Sequence, residues 1–145
     1  MTIRYSTVGI VGTGAMGRGI AQIADQAGST VQLFDLNPEA CRQAHAAITA
    51  QWDKLQDKGR IDAATADAYK TRLQTAASLG DLHNCDLVVE AAVERLDIKQ
   101  SLFAQLEDIV RPDAVLVTNT SSLSVTAIAA GLKRPAQFAG YHFFN

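Results

Sequence analysis

A doubly wound, mostly parallel α/β sheet carrying a projecting helical hairpin is the fold class this chain predicts, from three observations. Five apolar runs (Thr7–Val11, 31–35, 87–91, Val115–Thr118 and 138–142) alternate with helical patterns. Such alternation implies a parallel sheet with helices on both faces. The run Leu87-Val88-Val89 is continuously apolar, as a strand covered on both sides must be. The first run also passes straight into Gly12-Thr13-Gly14-Ala15-Met16-Gly17, a G-x-G-x-x-G turn between strand and helix.

That turn has a mechanical reading. Gly12 makes the tight strand-to-helix turn, Gly14 lets the backbone approach a pyrophosphate, and Gly17 lets the helix over 18–27 pack on the strand. The helix N-terminus then offers free N–H groups and a positive dipole end to phosphates. A glycine turn alone is a weak signal. Here the second strand ends in Asp35, eighteen residues after Gly17, where a carboxylate meets an adenosine ribose 2′-OH. Together these features predict a Rossmann-type dinucleotide site.

Asn37-Pro38 opens the next helix, with Pro38 near its first position. The segment 38–73 is too long for one crossover helix and Lys58-Gly59 interrupts it. Asp62 is a plausible N-cap for 63–73, so the segment reads as two antiparallel helices projecting from the nucleotide domain. Ala44, Ala47, Ile48, Gln51, Trp52 and Leu55 fall on a helical stripe, which makes Trp52 a core residue. Lys54 and Lys58 read either as solvated charges or as part of an arm that touches substrate. Further on, 96–110 is an amphipathic helix that stops before Pro112, and Ser124 is placed to cap a short helix over 125–130 ended by Gly131.

Bulk properties narrow the function classes. The 145 residues fit one domain, on the rule of roughly 100–200 residues each. The hydrophobic share of 48% and charged share of 19% describe an ordinary globular chain. A net charge of −2 without a basic block argues against nucleic acid or an anionic membrane as partner. Cys41 and Cys85 form no C-x-x-C pair and no metal-ligand cluster. They read as free thiols in a reducing compartment, with no metal site expected. No apolar stretch approaches the ~20 residues needed to cross a bilayer and no signal peptide is visible, so a cytoplasmic location is expected.

Ligands of doubly wound sheets bind beyond the carboxyl ends of the strands, and three polar clusters follow such ends. They are Glu90-Ala91-Ala92-Val93-Glu94 with Lys99 after it, Thr118-Asn119-Thr120-Ser121-Ser122, and His142-Phe143-Phe144-Asn145. His45 and His83 lie in the arm and a loop and read as structural. His142, beside a nicotinamide site and a Ser/Thr cluster, reads as a general base. Taking a hydride from an alcohol requires removal of the hydroxyl proton, and imidazole suits that near neutral pH. Ser121 would orient the same oxygen by a hydrogen bond. No G-x-S-x-G elbow surrounds it.

These residues carry a family resemblance. Gly12-Thr13-Gly14-Ala15-Met16-Gly17-Arg18-Gly19-Ile20-Ala21-Gln22 resembles the opening of the L-3-hydroxyacyl-CoA dehydrogenases. So do Asp86-Leu87-Val88-Val89-Glu90-Ala91-Ala92-Val93-Glu94, Thr118-Asn119-Thr120-Ser121-Ser122-Leu123 and His142-Phe143-Phe144-Asn145. The resemblance implies NAD-dependent oxidation of a 3-hydroxyacyl-CoA to the 3-ketoacyl-CoA. It implies His142 as catalytic base, Ser121 at the substrate's 3-oxygen and the nicotinamide, and Asp35 as the ribose acid. It places Ala91, Glu94, Lys99, Asn119 and Asn145 along the dinucleotide pocket, and makes Lys58, and less so Lys54, contacts for CoA phosphates. The family continues beyond the His-Phe-Phe-Asn motif with a glutamate partner for the histidine and a helical domain that usually dimerises. The sequence therefore reads as 1–145 of a longer enzyme, its NAD-binding half, inactive alone and homodimeric as the full-length protein. Two rival readings are a non-catalytic NAD-binding protein, which needs neither His142 nor Ser121, and a 3-hydroxyisobutyrate or 6-phosphogluconate type of dehydrogenase. The latter share the glycine start but use a lysine in place of the histidine.

Overall fold

The first apolar run becomes β1 (Thr7–Val11), and every later strand is arranged around it. The computed structural model describes residues 5–91, 95–120 and 122–141. Within them the chain continues through α1 (Ala15–Gln26), β2 (Thr30–Phe34), α2 (Pro38–Asp57), α3 (Ala63–Arg72) and β3 (Leu73–Thr75). A 3₁₀ segment (Leu79–Asn84) leads to β4 (Leu87–Glu90), α4 (Leu96–Ile109), β5 (Val115–Thr118), α5 (Ser122–Ala130) and β6 (Phe138–Gly140). The described strands form one parallel sheet in the order β3-β2-β1-β4-β5-β6. The order reverses at β1, which pairs Val8 with Val31 on one side and with Leu87 on the other. Crevices for ligands form at such a reversal.

Two apolar layers cover the sheet. In one, Val8, Ile10, Val31, Leu33 and Val89 meet Ile20 and Ala21 of α1 and Cys41, Ala44, Ile48 and Trp52 of α2. In the other, Val11, Val88 and Leu116 meet Leu102, Phe103 and Leu106 of α4 and Ile128 of α5. Phe103 and Phe138 touch edge to face, with ring centroids 4.9 Å apart. Trp52 is fully buried, as its place on the helical stripe predicts, with its ring 5.3 Å from that of Tyr69 in α3.

Several local expectations are refined. Asn37 caps α2 by accepting from the Glu39 N–H at 3.0 Å, and Asp62 caps α3 by accepting from Thr65 N–H at 2.8 Å. The hairpin is less detached than its pattern suggested, because Cys41, Ala44, Ile48 and Trp52 share the sheet's own core. Leu73, placed at the end of the second arm helix by the pattern, instead opens β3 and pairs with Val31. Ser124 does not cap α5, which begins at Ser122 and so contains it. His83 lies in the 3₁₀ segment rather than a loop, with Nδ1 3.2 Å from Gly80 O.

Both cysteines are free and buried. Burial above all, helped by the charge of Asp86, pushes the Cys85 thiol up to about 12. Among the described residues no helix is long and apolar enough to cross a membrane, and no group of three His, Cys, Asp or Glu is placed to hold a metal.

Candidate functional site

At the carboxyl ends of β1, β2 and β4 the sheet opens into a cleft of about 700 Å³. Gly12, Thr13 and Gly14 form one wall, Asp35 and Leu36 follow from the end of β2, and Ala91 follows β4. Asp97, Ile98, Ser101 and Gln105 of α4 close the far side.

The glycine turn has the geometry its sequence implies. Gly12 has φ 104°, in the left-handed region that favours glycine, and its N–H donates to Phe34 O at 2.8 Å. A Cβ on Gly17 would lie 1.9 Å from Gly12 O, so only glycine lets α1 start this close to the turn. Gly14 differs: nothing of the protein lies within 4 Å of a Cβ built there. The space it preserves belongs to the cleft it lines. No side chain caps the N-terminus of α1. Its opening amides therefore point outward without intrahelical partners, and they fit an anionic group.

Asp35 stands immediately after β2, against the glycine turn. Its Oδ2 accepts from both the N–H and the hydroxyl of Thr13, at 3.0 and 2.8 Å, and its Oδ1 accepts from the Asn37 N–H at 2.9 Å. Partial burial works to raise its pKa. The bonds from Asn37 and Thr13 outweigh that and hold the carboxyl below its ordinary value. A carboxylate that stays charged, beside an uncapped helix end and a glycine turn, is a donor-and-acceptor set that fits a dinucleotide.

Below this wall lies a closed polar cluster. Glu90 Oε1 accepts from Thr118 Oγ1 at 2.6 Å and faces Lys99 Nζ at 2.9 Å, with all three side chains buried. Asn119 is half-buried at the end of β5, and its N–H donates to Glu90 O at 3.0 Å.

The structure thus brings Gly12, Thr13, Gly14, Asp35 and Ala91 into one cleft, with Ala15, Met16 and Gly17 opening the helix behind them. It does not place Lys99 on the lining: its ammonium is turned to Glu90. Lys54 and Lys58 are exposed at the far end of α2 and do not line the cleft either. Glu94, Ser121, His142 and Asn145 lie outside the described residues. Sequence reasoning missed the apolar lining from Leu36, Leu79 and Ile98. Leu36 is 76% exposed, and its position directly after the acid that follows β2 was the available signal.

Residues 7–145 match the family described as 3-hydroxyacyl-CoA dehydrogenase, NAD binding domain. The 3-hydroxyadipyl-CoA dehydrogenase of Escherichia coli (strain K12) is 43% identical over all of this chain and 30% of its own length. A 3-hydroxybutyryl-CoA dehydrogenase of Bradyrhizobium diazoefficiens is 36% identical over 95% of this chain and 47% of its own. The crystal structure of an E. coli K12 3-hydroxybutyryl-CoA dehydrogenase superposes with a TM-score of 0.92 at 43% identity, covering 98% of this chain and 30% of that one. The chain therefore spans less than half the length of these relatives.

Proposed function

Because the chain belongs to the family of 3-hydroxyacyl-CoA dehydrogenase NAD-binding domains, we propose that it is the cofactor-binding half of an enzyme oxidising (S)-3-hydroxyacyl-CoA to 3-ketoacyl-CoA. One observation carries this reading. The glycine turn, the uncapped helix end and the charged Asp35, which Thr13 of that turn holds, meet in one cleft.

Bound NAD supplies the hydride acceptor. The chain's own groups bind and orient. The amides opening α1 hold the pyrophosphate, and the bare Cα of Gly14 lets it come close. Asp35 accepts from the adenosine ribose, and it repels a 2′-phosphate in the same place. At 4 Å that repulsion reaches about 4 kcal/mol per charge pair at an effective dielectric of 20, less where solvent enters. His142 takes the hydroxyl proton as general base, and Ser121 orients that oxygen by a hydrogen bond. Glu94, Lys99, Asn119 and Asn145 complete the surroundings of the dinucleotide, Lys99 acting through Glu90. Lys58 and Lys54, exposed on the arm, meet the phosphates of CoA. The two free, buried thiols support a reducing, cytoplasmic setting.

Calorimetric titration of the chain with NAD and NADP tests the cofactor half of the reading. NAD is expected to bind more tightly, and equal affinities or a preference for NADP would overturn it. For the chemistry, NADH-dependent reduction of acetoacetyl-CoA by the full-length protein is the assay. His142→Gln is expected to lower kcat by roughly 10²–10⁴, the usual worth of a placed acid–base group, with NAD affinity preserved. A folded variant with near-normal kcat would remove His142 from the reaction.

A further inference from the structure

We propose that Thr13 is a positioning residue: its hydroxyl fixes the Asp35 carboxylate in the one orientation that separates NAD from NADP. The proposal rests on the cofactor reading above and adds a second residue to the choice of cofactor.

The two residues are far apart in sequence, and the fold joins them through two donors on one oxygen. Thr13 is 2% exposed, so its hydroxyl cannot turn to bulk water, and it donates to Asp35 Oδ2 at 2.8 Å. The Thr13 N–H reaches the same oxygen at 3.0 Å. An ionised carboxylate offers about four acceptor sites. Oδ2 has its two filled by Thr13, and Oδ1 has one filled by Asn37. One site remains, on Oδ1, for an incoming ribose hydroxyl.

Any residue at position 13 except proline would supply the N–H. Only a hydroxyl supplies the second anchor, and the terminal torsion of an aspartate is otherwise broad. With both anchors the charge is held in place and cannot swing away from a 2′-phosphate. Without the hydroxyl, Oδ2 keeps only the Thr13 N–H and Oδ1 only the Asn37 N–H. The carboxylate can then tilt, let water or a counter-ion onto Oδ2, and weaken its grip on the ribose hydroxyl. The low pKa of Asp35 accords with this arrangement. The turn does not depend on the hydroxyl: Arg18 Nε donates to Thr13 O at 3.0 Å, and Gly12 N–H to Phe34 O. Substitution of the side chain therefore leaves the loop's own supports intact.

The test is calorimetry of NAD and NADP on the wild-type chain, Thr13→Val, Thr13→Ala and Thr13→Ser, with a carbon-13 NMR titration of the Asp35 carboxyl in each without cofactor. Thr13→Val is expected to weaken NAD roughly tenfold, the worth of one hydrogen bond to a charged group, while NADP changes by less than about twofold. Thr13→Ser is expected to restore the preference. The Asp35 pKa is expected to rise in the valine and alanine variants but not in the serine one. The alanine variant, which adds no bulk, carries the test if the valine variant does not fold. A parallel loss of both cofactors, no rescue by serine, or an unmoved Asp35 titration overturns the proposal. A wild-type chain that binds neither cofactor, or does not prefer NAD, overturns the cofactor reading and the proposal with it. A preference that survives in the valine variant removes Thr13 alone.

Discussion

Lys99 and Glu90 form an ion pair with 2.9 Å between Nζ and Oε1, and both side chains are closed to solvent. The pair ties the opening turn of α4 to the end of β4, and Thr118 joins it from β5 through the same oxygen. Removing one partner of a buried pair leaves the other charge uncompensated, at about 3–5 kcal/mol. Glu90→Gln and Lys99→Met are each expected to destabilise by that order. The double variant is expected to lose far less than the sum, because no lone charge remains. Urea unfolding of all three, analysed as a double-mutant cycle, checks this. Additive losses would show that the two residues do not act on each other.

Asp25 on α1 makes a different prediction, about pH. Its carboxyl is fully buried and neither oxygen accepts a hydrogen bond among the described residues. The Arg72 guanidinium bonds instead to the Asp25 main-chain carbonyl, at 3.2 and 2.8 Å, and stands 3.4 Å from the carboxylate. Burial pushes the carboxyl up to about 7, with Arg72 pulling the other way. Unfolded, it titrates near 3.8. Between those values the folded chain holds a proton the unfolded chain has lost. This group's contribution is therefore fully present below about pH 4 and is lost as pH rises through 7. The slope approaches about 1.4 kcal/mol per pH unit at its steepest. Melting curves from pH 5 to 8 are expected to show stability falling with pH in the wild type and much less in Asp25→Asn. Identical slopes would contradict the assignment.

Gly14 and Gly17 are expected to part company when each is changed to alanine. The added methyl at Gly17 runs into the Gly12 carbonyl, so Gly17→Ala is expected to lose about 1–3 kcal/mol, the usual range for overpacking, as well as NAD binding. At Gly14 the methyl meets no protein atom and the backbone φ of −72° suits alanine. Gly14→Ala is expected to melt like the wild type yet bind NAD poorly. Thermal melts set beside cofactor titrations tell the two apart. Equal losses of stability would argue against a ligand-facing Gly14.

Trp52 is the chain's one tryptophan and lies fully inside the core. Trp52→Ala is expected to remove about 3–5 kcal/mol. Its Nε1 has no hydrogen-bond partner among the described residues, so Trp52→Phe gives up volume but no hydrogen bond and is expected to be much milder. Urea midpoints followed by far-ultraviolet dichroism measure both. A phenylalanine variant as damaged as the alanine one would point to an unseen polar role for the indole.

The parts legible in the sequence are those whose cause is local. The turn at Gly12 needs a backbone conformation that glycine favours, and β4 advertises burial on both faces through Leu87-Val88-Val89. Strand β3 was not legible. Leu73-Gln74-Thr75 becomes a strand only by pairing with Val31-Gln32-Leu33, a contact absent from its own pattern. The Thr13–Asp35 clamp was hidden for a similar reason: each residue was assigned a ligand contact by its motif, and their bond to each other exists only in the folded chain. Lys99, assigned to the cofactor pocket by resemblance, faces inward because the carboxylate that balances it sits one residue before Ala91 on β4.

The register of β1 also bears on how the chain assembles. Val8 lies beside Val31 on one side and beside Leu87 on the other, so the central strand waits for a partner that a ribosome delivers much later than the first. Most of the layer of β1, β2, α1 and α2, with Trp52 and Leu73 in its interior, precedes β4 in sequence, and Val89 of β4 and Val117 of β5 join it afterwards. Early and late halves then meet along one open strand edge, and closing the long loop between them is the entropically slow event. Until β4 docks, Val8, Gly9, Ile10 and Val11 present unpaired main-chain groups to whatever is nearby. The strand that organises the finished sheet is thus also the nascent chain's point of greatest exposure to misassembly.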